Sequence, residues 1–187
     1  MRTTSITCRE GVSITIKSDD FIVSEGIYAL LRNMRFNIKY TKKKGHKLLI
    51  IINTSNSVYQ SAYHYLQDGH YDRVVMLCSD LKERIFCGLN VRPITFIKLS
   101  TELAEAYEIL HNVFATHPEQ CSIKPLTMVE NKILLLLMAK YSTTMISDEL
   151  HINHKTAYCH LKNMNHKLLV KDNAELNIKM ILISGSA

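Results

Sequence analysis

Glycine and proline are scarce in this chain of 187 residues, numbering 6 and 3, and tryptophan is absent. That shortage excludes a collagen-like repeat and argues against a largely disordered chain. Apolar runs are short. The longest, Leu48 to Ile52 and Ile133 to Met138, fall far below the ~20 residues of a membrane-crossing helix. The opening Met1-Arg-Thr-Thr-Ser holds no apolar signal-peptide core. The five cysteines (Cys8, Cys78, Cys87, Cys121, Cys159) are odd in number and form no CxxC pair. A zinc ribbon or disulfide framework is therefore not expected, and reduced thiols in a cytoplasmic protein are. No metal or cofactor is expected either. Four histidines lie between His151 and His166, but His160 and His166 are not i,i+4 partners and no cysteine stands at ligand spacing.

What is present suits a globular protein. Hydrophobic residues make up 47% and charged residues 21%, enough of each for a buried core and a solvated surface. The net charge of +6 permits a nucleic-acid partner without requiring one.

The first half alternates strand and helix patterns. Val12, Ile14 and Ile16 alternate with polar residues, and Ile27, Leu30, Leu31 and Met34 follow helical spacing. Leu48 to Ile52 and Val74 to Leu77 read as buried parallel strands, and Ile94 to Ile97 as another. Helices are expected over Val58 to Leu66, after Asp80, and after Thr101 as a cap. The alternation predicts a doubly wound α/β domain. Phe36 to Thr41 resembles a strand, yet only Lys42 to Lys47 separates it from Leu48. A parallel crossover needs about a dozen residues. Either a helix is missing, or the segment is an antiparallel edge or a loop, and the lysines suit an edge.

These patterns divide the chain into residues 1–114, a linker at 115–124 where His117-Pro breaks the periodicity, and an all-helical domain at 125–187. Thr127 with Glu130 forms a capping-box signature ahead of the first helix. A second short helix passes through Ile146 and Leu150, His151-Ile-Asn153 connects, and a third runs to about Leu168, before a fourth over roughly Asn173 to Ile183. Two short helices joined by three residues, the second one basic, form a helix-turn-helix pattern. Between His151 and Lys171 stand Lys155, Lys162, Lys167 and Lys171 and no acid. At 3.6 residues per turn, positions 155, 158, 159, 162 and 166 lie opposite the apolar stripe of Ala157, Leu161, Met164 and Leu168.

On these residues, Leu126 to Val170 resembles the LuxR/FixJ-type helix-turn-helix. The matching pieces are Leu126-Thr127 with Glu130, Ser142 before Ile146-Ser147, Leu150-His-Ile152-Asn, Lys155-Thr156-Ala157, and His160 through Asn163-Met164 to Lys167-Leu168. Four positions depart from the family pattern: Tyr158 stands for Lys, Ala157 for Val, Val129 for Arg and Ser147 for Ala. The resemblance implies that the third helix lies in the major groove of double-stranded DNA. Tyr158, Cys159 and Lys162 would then face bases, and Lys155, Thr156, His160 and Lys167 the backbone. Asn163 would do either. It also implies a homodimer, or a heterodimer with a related regulator.

The stretch from Asp19-Asp20 to Leu31 resembles the first strand-helix junction of response-regulator receiver domains. In that fold carboxylates bind magnesium, one of them accepts a phosphoryl group, and a lysine pairs with it. Here Ser18 stands for the first acid, only Asp19 stays aligned, and Asn53 stands at the phosphoacceptor position. A neutral amide forms no acyl phosphate and is a poor Mg²⁺ ligand. Ser79 and Lys98 keep their places after the later strands, and Lys98 is expected to pair with Asp19. The expected protein is a DNA-binding transcription regulator with a degenerate, non-phosphorylatable receiver-like domain. The competing expectation is a protein-interaction adaptor that joins another DNA-binding regulator. No enzyme activity is expected.

Overall fold

The computed structural model describes residues 1–8, 11–38, 45–55, 59–87, 89, 93–116 and 124–184. The chain divides into two compact units, residues 1–83 with 90–120, and residues 84–89 with 121–187. Most of the expected linker lies outside the described residues. No helix among the described residues is long and apolar enough to cross a membrane.

The first unit is built on a five-stranded sheet in the order β1 to β5: β1 (Arg2–Thr7), β2 (Ser13–Ser18), β3 (Lys47–Asn53), β4 (Arg73–Cys78) and β5 (Thr95–Lys98). β2 to β5 pair in parallel, each with its neighbour. In β3 every residue after Lys47 is buried, as expected of a strand covered on both faces. Helices α1 (Phe21–Arg32), α2 (Tyr59–Gln67), α3 (Asp80–Phe86) and α4 (Leu103–His111) join or follow the strands. Ile27 and Leu31 of α1 share one cluster with Leu48, Ile50, Ile52, Val75, Leu77, Ile97 and Leu110. The strand residues of opposite parity, Leu49, Ile51, Val74 and Met76, are equally buried, since successive side chains point to opposite faces.

Of the alternatives left open for the segment from Phe36, residues 36–38 follow the loop and not the edge strand. Residues 39–41 lie outside the described residues. Phe36 is instead a buried anchor whose ring meets Phe114 edge-on at 5.7 Å, and the Asn37 amide donates to the His111 carbonyl. The edge is taken by β1, which runs antiparallel to β2 from Arg2 opposite Ser18 to Thr7 opposite Ser13. A Thr-rich strand of low hydrophobicity was not legible as one. Its β-branched residues suit a half-exposed edge, and pairing rather than burial places it. Thr101 is not the cap of α4 either. Glu102 holds that position and makes no side-chain cap bond.

The second unit holds α5 (Met128–Met138), α6 (Thr143–Glu149), α7 (His154–Lys167) and α8 (Asn173–Ser184). Each start has a side-chain cap. Thr127 and Glu130 complete the reciprocal capping box, Ser142 accepts from the Met145 amide, Asn153 from that of Lys155, and Asp172 from those of Ala174 and Glu175. Ile133, Ile146, Leu161, Met164, Leu168, Leu176 and Met180 form the core.

Three of these helices end in the same way, and each end lacks glycine. Tyr141 and Lys140 donate to the carbonyls of Leu136 and Leu137, Ile152 and His151 to those of Ser147 and Asp148, and Val170 and Leu169 to those of Asn165 and His166. These are Schellman pairs, which require a left-handed residue just past the helix. That residue is Lys140 (φ 66°), His151 (φ 51°) or Leu169 (φ 57°). An L-residue there costs roughly 1–2 kcal/mol, against roughly 0.5–1 kcal/mol of backbone entropy for a glycine. Lys140→Gly is therefore expected to stabilise the second unit by about 0.5–1 kcal/mol in urea unfolding. A loss of stability would overturn this account of the helix end.

Candidate functional site

The surface of α7 carries the candidate contact residues. Ala157, Leu161 and Met164 point into the core and are buried. Lys155, Thr156, Tyr158, Cys159, Lys162 and Asn163 are exposed, and His160 is half-buried. Tyr158 is 62% exposed, a large aromatic left in water opposite the packed stripe. The helix has no acid along its length, so nothing on it repels a polyanion. All the residues assigned to bases from the sequence thus share one open face.

Lys167 has a partner that the sequence did not announce. Its ammonium lies 2.6 Å from the Glu130 carboxylate, and its side chain is only 22% exposed. The same carboxylate accepts from the Thr127 amide at 2.7 Å. Burial works to raise the Glu130 carboxyl, but the hydrogen bonds from Lys167 and Thr127 outweigh it and hold the group below its ordinary value. Lys167 thus ties the last turn of α7 to the start of α5. Sequence reading saw the capping box but not this second partner, because the two residues are 37 positions apart.

A polar cleft of about 330 Å³ opens beside this tie, lined by Lys124, Thr127, Glu130, His160, His166 and Lys167. Lys124 was not foreseen as part of the site. A second cleft, of about 480 Å³, places Tyr158, Lys162 and His166 near Lys171 and Asp172.

The expected phosphoacceptor pocket of the first unit holds a different arrangement. Asp19 is a clamp on the loop after β3. Its two oxygens accept from the amides of Thr54 and Ser55, both at 2.9 Å, and from their hydroxyls at 3.1 and 2.7 Å. These bonds outweigh burial, which acts the other way, and hold its carboxyl below the usual range. Asp20 is spent as the cap of α1, accepting from the Val23 amide. Asn53 is fully buried, as is Lys82. The Lys82 ammonium donates to the Asn53 carbonyl at 2.9 Å, to the Asn53 side-chain oxygen, and to the Ser55 carbonyl. Burial pushes the Lys82 ammonium below its usual value, while the charge of Asp19 acts to raise it.

One sequence expectation fails here. Lys98 does not pair with Asp19. It lies 2.9 Å from Asp80 and 3.8 Å from Glu83, because the first turn of α3 offers two carboxylates while Asp19 is occupied by the loop. Ser79 sits at the start of α3, where its carbonyl accepts from the Glu83 amide. The residue that reaches Asn53 is Lys82, which carries no motif. Among the described residues no group of three could hold a metal ion.

The thiols also depart from expectation. Cys8, Cys78 and Cys159 are in no disulfide, whereas Cys87 is disulfide-bonded. Spacing in sequence carried no sign of that bond, because the fold and not the spacing decides which cysteines meet. Burial, with lesser contributions from Glu83 and Asp80, pushes the Cys78 thiol up to about 12, which disfavours the thiolate.

A mixed α/β unit in front of a four-helix unit with an open basic recognition helix defines the class: a receiver-like domain followed by a helix-turn-helix domain. Residues 124–180 match the model for bacterial regulatory proteins of the luxR family, so the second unit is a LuxR-type domain. Over 94% of this chain and 98% of the other, the fold is similar to that in a structure of two RcsB dimers bound to two parallel DNAs, with 21% identity and a TM-score of 0.59. It is also similar to the two-component response regulator RcsB in a DNA complex, with 22% identity, a TM-score of 0.56, and coverage of 89% and 96%. No curated protein matches the sequence.

Replacing Glu130 by Gln is expected to cost about 1–3 kcal/mol at neutral pH, since it removes a charged acceptor from Lys167. The folded carboxyl lies below its ordinary value of 4.5. Its contribution is therefore present above that value and is lost as the pH falls through the folded one. Thermal unfolding of wild type and variant is expected to converge below about pH 4.5. A gap that stays constant down to pH 3 would show that the charge is not what stabilises.

Proposed function

We propose that this chain is a sequence-specific, DNA-binding transcription regulator that works as a dimer and without phosphorylation of its first unit. The observation that carries this reading is the α7 face, on which Lys155, Tyr158, Cys159 and Lys162 are exposed together with no acid. Lysines suit phosphates and guanine edges, and neutral side chains suit base contacts. The luxR-family match supports the reading. So do the fold-level likenesses to RcsB, which is described as dimeric and DNA-bound. Dimers of this kind read two half-sites about one helical turn apart.

The Lys167–Glu130 tie shifts the phosphate role toward Lys155. On a duplex selected from a random pool by the wild-type protein, Lys162→Ala is expected to lose about 1–3 kcal/mol of discrimination. Lys155→Ala is expected to weaken all duplexes about evenly and to lower the salt slope by about 1. Anisotropy titrations read both. Equal affinities of wild type and both variants for every duplex would refute the assignment of α7. Binding seen only after a second regulator is added would favour the adaptor reading.

Loss of phosphoryl chemistry rests on Asn53 at the acceptor position and on Lys82 bonded to it. Incubation with a small phosphodonor and Mg²⁺ is expected to add no phosphoryl group by intact mass. A stable adduct on Asp19 or Asp20 would overturn this part of the proposal.

A further inference from the structure

We propose that Tyr158 reads the 5-methyl group of a thymine in the major groove, which makes it a specificity-determining residue of the α7 face. The inference rests on the regulator reading above and names the base that this surface selects. The family pattern has a lysine where this chain has Tyr158, so the choice of base belongs to this chain and not to the family.

Tyr158 is 62% exposed. Among the described residues, its ring meets no other ring and its hydroxyl makes no hydrogen bond. The burial of Ala157 and Leu161 turns position 158 outward. Tyr158 stands three residues after Lys155 and four before Lys162 on α7, so the three side chains share one face. Both lysines are exposed, and each lies about one helical turn from the ring. Two ammonium groups thus flank an uncharged aromatic surface. The charges draw the phosphates of a duplex to this face, and the ring between them is what reaches the base edges.

Base edges in the major groove present hydrogen-bond donors and acceptors, and thymine alone adds an apolar methyl group. A ring pressed against a donor or an acceptor strips water from it and returns no hydrogen bond, which costs free energy. Against the methyl, the same ring buries apolar area on both partners. The chemistry of the side chain therefore selects thymine from the four bases. The ring carries the preference, and the hydroxyl is left to water or to a phosphate oxygen. Four residues of α7 span about 6 Å, or about two base pairs at a rise of about 3.4 Å. Each half-site is accordingly expected to hold a thymine within about two base pairs of the base that Lys162 meets.

The test uses the full chain and a fluorescein-labelled duplex selected from a random pool by the wild-type protein. Thymines are replaced one at a time by deoxyuridine, which lacks only the methyl group, and affinities are read by anisotropy at fixed ionic strength. Wild type is expected to lose roughly fourfold at one position of each half-site, and nothing at thymines outside the half-sites. Tyr158→Phe keeps the ring and is expected to keep that ratio. Tyr158→Ser, at an exposed position, is expected to match wild type in circular dichroism and to bind the thymine and uracil duplexes equally. Selective wild-type binding that is blind to uracil at every position, or selected half-sites without thymine, would overturn the methyl contact and leave the regulator reading intact. So would a ratio that persists in Tyr158→Ser, which would place the methyl against another residue. A ratio lost in Tyr158→Phe would transfer the contact to the hydroxyl and overturn the methyl reading as well. A pool from which no duplex is enriched would overturn the regulator reading itself.

Discussion

One buried carboxylate organises the second unit. Glu130 is 2% exposed, and it completes the capping box of α5 while accepting from Lys167 at the far end of α7. A buried charge is tolerated only when it is paired and hydrogen-bonded. Glu130 therefore constrains two helices at once. The N-terminal turn of α5 and the C-terminal turn of α7 meet at one of its oxygens, Oε2. With that end fixed and Ala157, Leu161 and Met164 in the core, the rotation of α7 about its own axis is settled. The exposed face follows as a consequence, with Lys155, Tyr158, Cys159 and Lys162 turned outward.

The first unit shows the same economy with the opposite sign of charge. In a receiver-like sheet the C-terminal ends of the parallel strands converge on a pocket suited to a hard cation. Here a cation is supplied from within the chain. The Lys82 ammonium takes the carbonyl oxygens of Asn53 and Ser55 and the amide oxygen of Asn53. An ammonium satisfies acceptors with directed hydrogen bonds and carries one charge, so neutral oxygens with one nearby carboxylate suffice. A divalent ion would need more anionic oxygen than Asp19 alone can give once its oxygens hold Thr54 and Ser55. Asn53 and Lys82 thus form two parts of one hydrogen-bonded arrangement at the end of β3.

Local signals were legible in the sequence, and nonlocal ones were not. The capping box of Thr127 and Glu130, the apolar stripe of α7, and the buried run from Leu48 to Ile52 announce themselves within a few residues. They placed α5, α7 and the central strand. The edge strand β1 escaped because Thr3, Thr4 and Ser5 show no hydrophobic alternation, and only pairing with β2 defines it. Lys98 was misassigned because its order along the chain suggested Asp19, while the first turn of α3 offered Asp80 and Glu83. Lys82, Lys167 and the disulfide at Cys87 share this character. Each is defined by a partner that the fold brings near. A lysine in sequence reads as surface charge until that partner is known.

The division of labour among the lysines of α7 bears on how the unit engages DNA. Lys167 is committed to Glu130, so Lys155 and Lys162 remain as the ammonium groups of the outer face. Two phosphate or base contacts on one helix give little electrostatic affinity, because each neutralised phosphate contributes only one increment of counterion release. Exposed Tyr158 offers apolar and aromatic area where the family pattern has a lysine. A contact made through that ring depends less on salt than one made through an ammonium group, because screening acts on charge.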